Sequence, residues 1–401
     1  MLNRRTLFNS AAAVTSYLVA AVGGRKSVAK THSFDVEKRG TIGRLERLPS
    51  LDTESRDHFH NGIRGWRTTN LVPASRERFN SILLANGYDP KKDLPLAKIF
   101  ELIKDDHIIN TEIRIYLDTK RTAHHHYKRE FEQNADIYLA ELESYDNRGP
   151  GTLELNPDMD IPEYTKHEIH QQPGGYVGSP FAGAIYHYGT NAFYLARNME
   201  NHQDESHTRL GQQMATPPDG RITRILDMGC GVSQLTIALK ERFPNAEVWG
   251  VEVGAPMIRY GHMRAVDLNV DVNLAQRLAE DTKFPDNHFD IVTSYLLHHE
   301  VTKTASKEII AEAYRVLRPG GVYFPIDFYT GGGSGSQNSF DTSAFGSLMQ
   351  WVDHRWNNEV WRMEYTDLDF PGEMRIAGFD VDEDGPPAWR RRHNVIGIKP
   401  T

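Results

Sequence analysis

The chain has 401 residues and a single cysteine, Cys230, which excludes an intrachain disulfide and any multi-cysteine metal site. Long apolar runs are also scarce. The weakly apolar stretch from Ala11 to Val22 is too short to span a bilayer, and 39% hydrophobic content is too polar for a multi-span membrane protein. Positive charge is in deficit, with 46 Lys and Arg against 54 Asp and Glu. Residues 1–29 hold Arg4, Arg5, Arg25 and Lys26 and no acids, which takes the net charge of the remainder from −8 to −12. An acidic body lacks the phosphate-neutralising surface that general nucleic-acid binding requires. Metal ligation finds little support. His124, His125 and His126 are consecutive, and adjacent residues on a helix point in different directions, so the run reads as a solvated helix face. His167 and His170 share a helical spacing, but no further histidine or carboxylate completes a zinc set.

What is present is enough for a full α/β core with a second unit beside it. Asn3-Arg4-Arg5-Thr6-Leu7-Phe8 resembles a twin-arginine export signal, followed by the apolar run and a small-x-small site at Ser27-Val28-Ala29. Residues 1–29 are therefore expected to be a targeting segment. Residues 30–150 carry helical patterning at 76–86, 96–103 and about 110–145, closed by Asn147-Arg148-Gly149-Pro150. Residues 151–220 read as lid and linker: a turn-rich loop, an aromatic helix with Tyr186, Tyr188, Phe193 and Tyr194, and a polar stretch ending at Pro217-Pro218-Asp219-Gly220.

The most informative stretch is Ile225-Leu226-Asp227-Met228-Gly229-Cys230-Gly231-Val232-Ser233-Gln234. An apolar run ends in a carboxylate, passes two glycines and enters the helical pattern Leu235, Leu239, Phe243, which predicts strand, tight turn and helix. Glycines there let a ligand lie against the backbone. Asp227 would repel a dinucleotide pyrophosphate, and Gln234 stands where the third glycine of a dinucleotide fingerprint belongs. A nicotinamide-dependent oxidoreductase is the weaker alternative for that reason. A ligand with an amino group and a sulfonium suits an acidic turn better. Downstream, Glu247–Val251 reads as a second strand ending at Glu252, whose carboxylate is placed to accept both hydroxyls of a ribose.

The acidic glycine turn resembles motif I of class I S-adenosylmethionine-dependent methyltransferases, with Ser233 at the family's last glycine. Three more stretches follow in the family's order: Glu252, Phe284-Pro285-Asp286-Asn287-His288-Phe289-Asp290, and Arg318-Pro319-Gly320-Gly321 before a strand. The nearest flavour is the small-molecule group related to ubiquinone and menaquinone C-methyltransferases. The resemblance implies an α/β, Rossmann-like, seven-stranded, mostly parallel sheet over 221–401, with an insertion at 331–372 and a helical region before it. It implies S-adenosylmethionine as cofactor, held by Asp227, Gly229, Cys230, Gly231, Glu252, Val253, Met257, Ala279, Glu280 and Tyr295. It implies methyl transfer to an O, N or C atom of a small-molecule acceptor. A binding protein of the same fold without turnover is the other alternative.

His298 and His299, in a segment similar to the family's "LHH", are the candidate general bases. Phe328, Trp351 and Trp356 are candidate walls of the acceptor pocket. Pro325 is expected to end the fifth strand, Val322–Phe324. Arg390-Arg391-Arg392 reads as a solvated turn. Localisation is pulled two ways, because the signal points to export whereas S-adenosylmethionine is made in the cytosol.

Overall fold

The structure is a computed structural model that describes residues 41–42, 45–46, 51–195, 202–328, 343–386 and 394–401. The export signal, the glycine-rich stretch 331–336, Arg390–Arg392 and the side chains of Phe193 and Tyr194 lie outside the described residues.

One sheet organises the C-terminal half. Its strands, in chain order, are β1 (Thr152–Glu154), β2 (Arg224–Met228), β3 (Glu247–Glu252), β4 (Asn273–Gln276), β5 (Phe289–Tyr295), β6 (Leu317–Ile326), β7 (Asp380–Asp382) and β8 (Ile396–Ile398). Across the sheet they run β1-β4-β3-β2-β5-β6-β8-β7, parallel from β1 to β6 and antiparallel for the last two. The chain moves outward from β2 to β3 and β4, then returns to β5 on the other side of β2. That reversal opens a crevice at the carboxyl ends of β2 and β5. β2 and β5 are buried along nearly their whole length because helices cover both faces, and Ile225, Leu226, Ile291 and Val292 are wholly buried.

The sheet has eight strands where seven were expected. The extra one, β1, arrives from upstream of the catalytic motifs and pairs in parallel with β4, Thr152 opposite Asn273. Three half-exposed residues give no sequence pattern to detect. Gly151 makes the approach possible: a Cβ there would stand 2.1 Å from the Val272 carbonyl oxygen. β6 also runs past its predicted end, with Pro325 opposite Ser294. Its antiparallel neighbour β8 pairs only with Val322 and Tyr323, so Pro325 lies where no strand on that side needs its missing N–H.

Upstream, the predicted 110–145 helix is two, His107–Gln133 and Ala135–Tyr145, broken at Asn134 with φ −121°. Asp106 caps the first, its carboxylate accepting the Ile108 and Ile109 amides. Helices Val72–Ala85, Leu96–Ile103 and His107–Gln133 share a core with helix Ala344–Arg355, which follows β6. Phe79, Leu83, Ile99 and Ile109 meet Ala344, Phe345, Leu348 and Val352 there, all fully or nearly fully buried. The segment after β6 thereby clamps the N-terminal helices over the crevice.

His124 and His126 are buried and only His125 is exposed, so this face is not the solvated one the histidine run suggested. The neighbouring chain accounts for it. Helix Ala182–Leu195 packs so closely that a Cβ on Gly189 would stand 2.9 Å from the His124 ring.

Candidate active site

At the carboxyl end of β2 the chain turns through Gly229 (φ 68°) and Gly231 (φ 53°) before helix Gln234–Arg242. These left-handed conformations favour glycine, and each glycine has a further reason. A Cβ on Gly229 would meet Leu297 at 2.7 Å, whereas one on Gly231 would meet nothing closer than Met257 Cε at 3.9 Å. The turn is packed beneath Gly229 and open at Gly231.

Glu252, at the end of β3, ties the turn down. Its Oε2 accepts the Gly231 amide at 3.1 Å and its Oε1 the Gly254 amide at 2.9 Å. Burial pushes its carboxyl up, with those amides opposing the shift.

Gly229, Gly231, Glu252, Val253, Met257, Tyr295 and His299 lie on the wall of one cavity of about 440 Å³. The structure does not bring the other expected residues to that wall. Asp227 lies beneath the turn, 1% exposed, with Oδ2 accepting from Thr236 Oγ1 at 2.7 Å and Oδ1 buried without a hydrogen-bond partner. Burial pushes its carboxyl up to about 7. Cys230 packs against Gly250, where a Cβ would stand 2.8 Å from its Sγ, and burial pushes the thiol well up. Ala279 belongs to the core, and Glu280 accepts the Tyr164 hydroxyl at 2.6 Å.

The two histidines part company on the 3-10 turn His298–Glu300. His298 is wholly buried between Ser306 Oγ, 2.7 Å from Nδ1, and the Tyr323 hydroxyl, 2.8 Å from Nε2. Burial holds its imidazole down at about 4, so it is a neutral packing residue away from the cavity. His299 faces the cavity with Nδ1 2.7 Å from Asp327 and Nε2 3.2 Å from Glu300. Burial opposes its charge, but the two carboxylates outweigh burial and hold the imidazole up at about 10. An imidazolium at neutral pH has no lone pair with which to accept a proton.

That shift gives a stability prediction. A pKa raised above the unfolded value contributes stability fully present below about 6.5, which is lost as pH rises through about 10. Urea unfolding of wild type and His299→Gln should therefore show a difference of a few kcal/mol at pH about 6.5 that shrinks as pH rises and is gone above about 10. A difference constant with pH would contradict the assignment.

The far wall comes from segments that sequence spacing did not single out. Arg64, Tyr116, Lys120 and His124 descend from the N-terminal helices, His170 and Tyr176 from the loop before β2, and Asp353, Glu359 and Arg362 from the segment after β6. Arg362 pairs with Glu359, and the Tyr116 hydroxyl donates to Asp353 at 2.8 Å. His170 Nε2 is 3.0 Å from Glu300. Among these His124 and His170 carry a signal, as members of the histidine run and of the paired-histidine spacing, and neither pattern reads as a metal site. Phe328 joins the wall, but Trp351 and Trp356 pack against Phe100, with ring centroids 4.7 and 6.2 Å away.

The comparisons with known proteins bear on the turn side of this cavity. Residues 225–321 match the family described as a methyltransferase domain. A demethylmenaquinone methyltransferase of Thermus thermophilus is 34% identical over 105 residues, 26% of this chain and 47% of that protein. A ubiquinone/menaquinone biosynthesis C-methyltransferase of Cupriavidus pinatubonensis is 35% identical over 107 residues, 26% of this chain and 43% of that protein. The chain thus spans less than half the length of these curated relatives. Among solved structures, a phosphoethanolamine N-methyltransferase of Haemonchus contortus in complex with S-adenosylmethionine is 17% identical, covering 50% of this chain and 53% of that one with a TM-score of 0.36.

Proposed function

We propose that this chain, which carries a class I S-adenosylmethionine-dependent methyltransferase domain, transfers the cofactor's methyl group to a small-molecule acceptor enclosed beneath its N-terminal helices. The observation that supports this most is the Gly231 side of the turn. A backbone open to the cavity, beside a carboxylate that closes β3, lies where the strand order reverses.

The residues present fit the cofactor. Gly229 and Gly231 leave room for a ligand against the backbone, and Glu252 is placed to accept ribose hydroxyls. The buried, unpartnered Oδ1 of Asp227 leaves an acceptor beneath the turn, and a cationic amino acid moiety bound above it would favour the ionised carboxylate. When bound, the cofactor supplies a methyl group on a sulfonium that is already a good leaving group. The protein's work is then to align the acceptor and exclude water.

Tyr176 and Tyr186 line the cavity above the turn. A Cβ on Gly254 would stand 2.8 Å from the Tyr176 carbonyl, so this loop lies directly over the end of β3. His299, held as an imidazolium by Asp327 and Glu300, orients the wall and sets its field. Lys120 also lines the cavity, and burial lowers its ammonium to about 8 against the opposing pull of Glu359 and Asp353.

Ultraviolet cross-linking of radiolabelled S-adenosylmethionine, followed by peptide mapping, tests the reading. Label should fall on peptides containing Gly229–Met257 or Tyr295–His299. Label confined to other peptides would overturn it.

A further inference from the structure

Beyond the turn, the cavity is walled by charged side chains rather than by an apolar sleeve. Lys120, His170, Glu300, Asp353, Glu359 and Arg362 all face it. Most of this charge is already matched. Arg362 is paired with Glu359, and Glu300 Oε1 is shared between His170 Nε2 at 3.0 Å and His299 Nε2 at 3.2 Å. Lys120 and Glu300 each keep an incomplete position.

The first is Lys120. Its Nζ meets Asn357 Oδ1 at 2.9 Å and His170 Nδ1 at 3.1 Å, and no carboxylate of the described residues stands within ion-pair distance of it. An ammonium has three donors, so one is unused. The second is Glu300 Oε2, buried on the same cavity without a hydrogen-bond partner. The His170 ring bridges the two groups, with Nδ1 toward Lys120 and Nε2 toward Glu300. A spare cationic donor and a spare anionic acceptor therefore belong to two residues of one cavity wall, bridged by one imidazole.

An apolar acceptor would bury both groups without partners, and an unmatched buried polar group is destabilising, more so when it is charged. A purely anionic acceptor would satisfy Lys120 and leave Glu300 Oε2 unmatched. A purely cationic one would leave Lys120 unmatched. A molecule that carries both charges completes both positions.

We propose that the methyl acceptor is a small zwitterion, an amino carboxylate whose carboxylate sits on Lys120 and whose amino group sits on Glu300. This rests on the methyltransferase reading and adds the substrate class to it. It also separates this chain from its quinone-methylating relatives in acceptor chemistry, through a wall that lies outside the matched residues 225–321 except for Glu300.

Calorimetric titration of the full chain saturated with S-adenosylhomocysteine provides the test. The probes are glycine, γ-aminobutyrate and ε-aminohexanoate, each beside the monocarboxylate and monoamine of the same chain length. At least one amino carboxylate should bind roughly tenfold or more tightly than both of its single-charge analogues. Lys120→Met should reduce its affinity to that of the monoamine, Glu300→Gln to that of the monocarboxylate, and Lys120→Arg should restore part of the loss. If no amino carboxylate binds, or if each binds like its single-charge analogues, the zwitterion assignment is overturned while bound S-adenosylhomocysteine leaves the methyltransferase reading standing. If S-adenosylhomocysteine itself does not bind, it is the methyltransferase reading that fails. The comparison among wild-type titrations decides even where a variant loses its fold.

Discussion

Glu252→Ala is expected to weaken S-adenosylmethionine binding roughly a hundredfold or more, because two charge-assisted hydrogen bonds at about 1.5–3 kcal/mol each disappear together. One carboxylate does two jobs. It holds the Gly231 and Gly254 amides at 3.1 and 2.9 Å, which fixes the turn, and it offers its remaining acceptor capacity to a ribose. Removing it loosens the backbone the ligand lies on and leaves two amides without their acceptor. Calorimetry of the variant beside wild type measures the effect, with circular dichroism as the check on folding. A loss below about threefold would mean that the end of β3 is not where the nucleoside rests.

The largest stability effect is expected from Asp290→Ala, which touches no part of the cavity. Asp290 is 1% exposed at the start of β5. Its Oδ2 accepts the Thr223 amide at 2.7 Å, the Thr223 hydroxyl at 2.8 Å and the Arg224 amide at 2.9 Å, and its Oδ1 meets Arg318 Nε at 2.5 Å. The carboxylate pins the entry of β2 to the start of β6. Burial alone would raise its pKa, but Arg318 and these donors outweigh it and hold the carboxyl below the usual range. Its loss leaves Arg318 Nε and two amides without their acceptor, while Asp219 still holds Arg318 Nη2 at 2.9 Å, a change that costs about 3 kcal/mol. Urea unfolding should show that drop, while S-adenosylmethionine affinity of the folded protein stays within about twofold of wild type. A stable Asp290→Ala protein would contradict the role of this network.

These two residues also mark what the sequence made legible. Glu252 and Asp290 both stand in short motifs whose chemistry is local: a strand, its last residue and the turn it faces. The acidic glycine turn, the β3 terminus and Arg318-Pro319-Gly320-Gly321 could be read one after another for that reason. The Phe284–Asp290 segment was equally legible as a pattern, yet its role is structural. Phe284 stacks edge-on against Trp249, and Asp290 staples β2 to β6.

The far wall of the cavity was not legible. Lys120, His170, Glu300 and Glu359 are brought together by the packing of the N-terminal helices on the helix after β6, and no spacing in the chain encodes that meeting. Histidine roles were ambiguous for the same reason. His298 and His299 are neighbours, but one turn sends the first into Ser306 and Tyr323 and the second onto the cavity beside Asp327. The Asp227 side chain lies under the turn, where Thr236, in the first turn of helix Gln234–Arg242, donates to its Oδ2.

The most direct test of the central claim is calorimetric titration of the full chain with S-adenosylmethionine, beside Gly231→Val. That substitution sends a branched side chain from a turn whose Cβ position is open toward the cavity, at a backbone φ of 53°. Saturable one-site binding in the wild type, lost in a Gly231→Val protein that keeps its circular dichroism spectrum, is the predicted result. Absence of binding in the wild type, or equal binding in the variant, would contradict it.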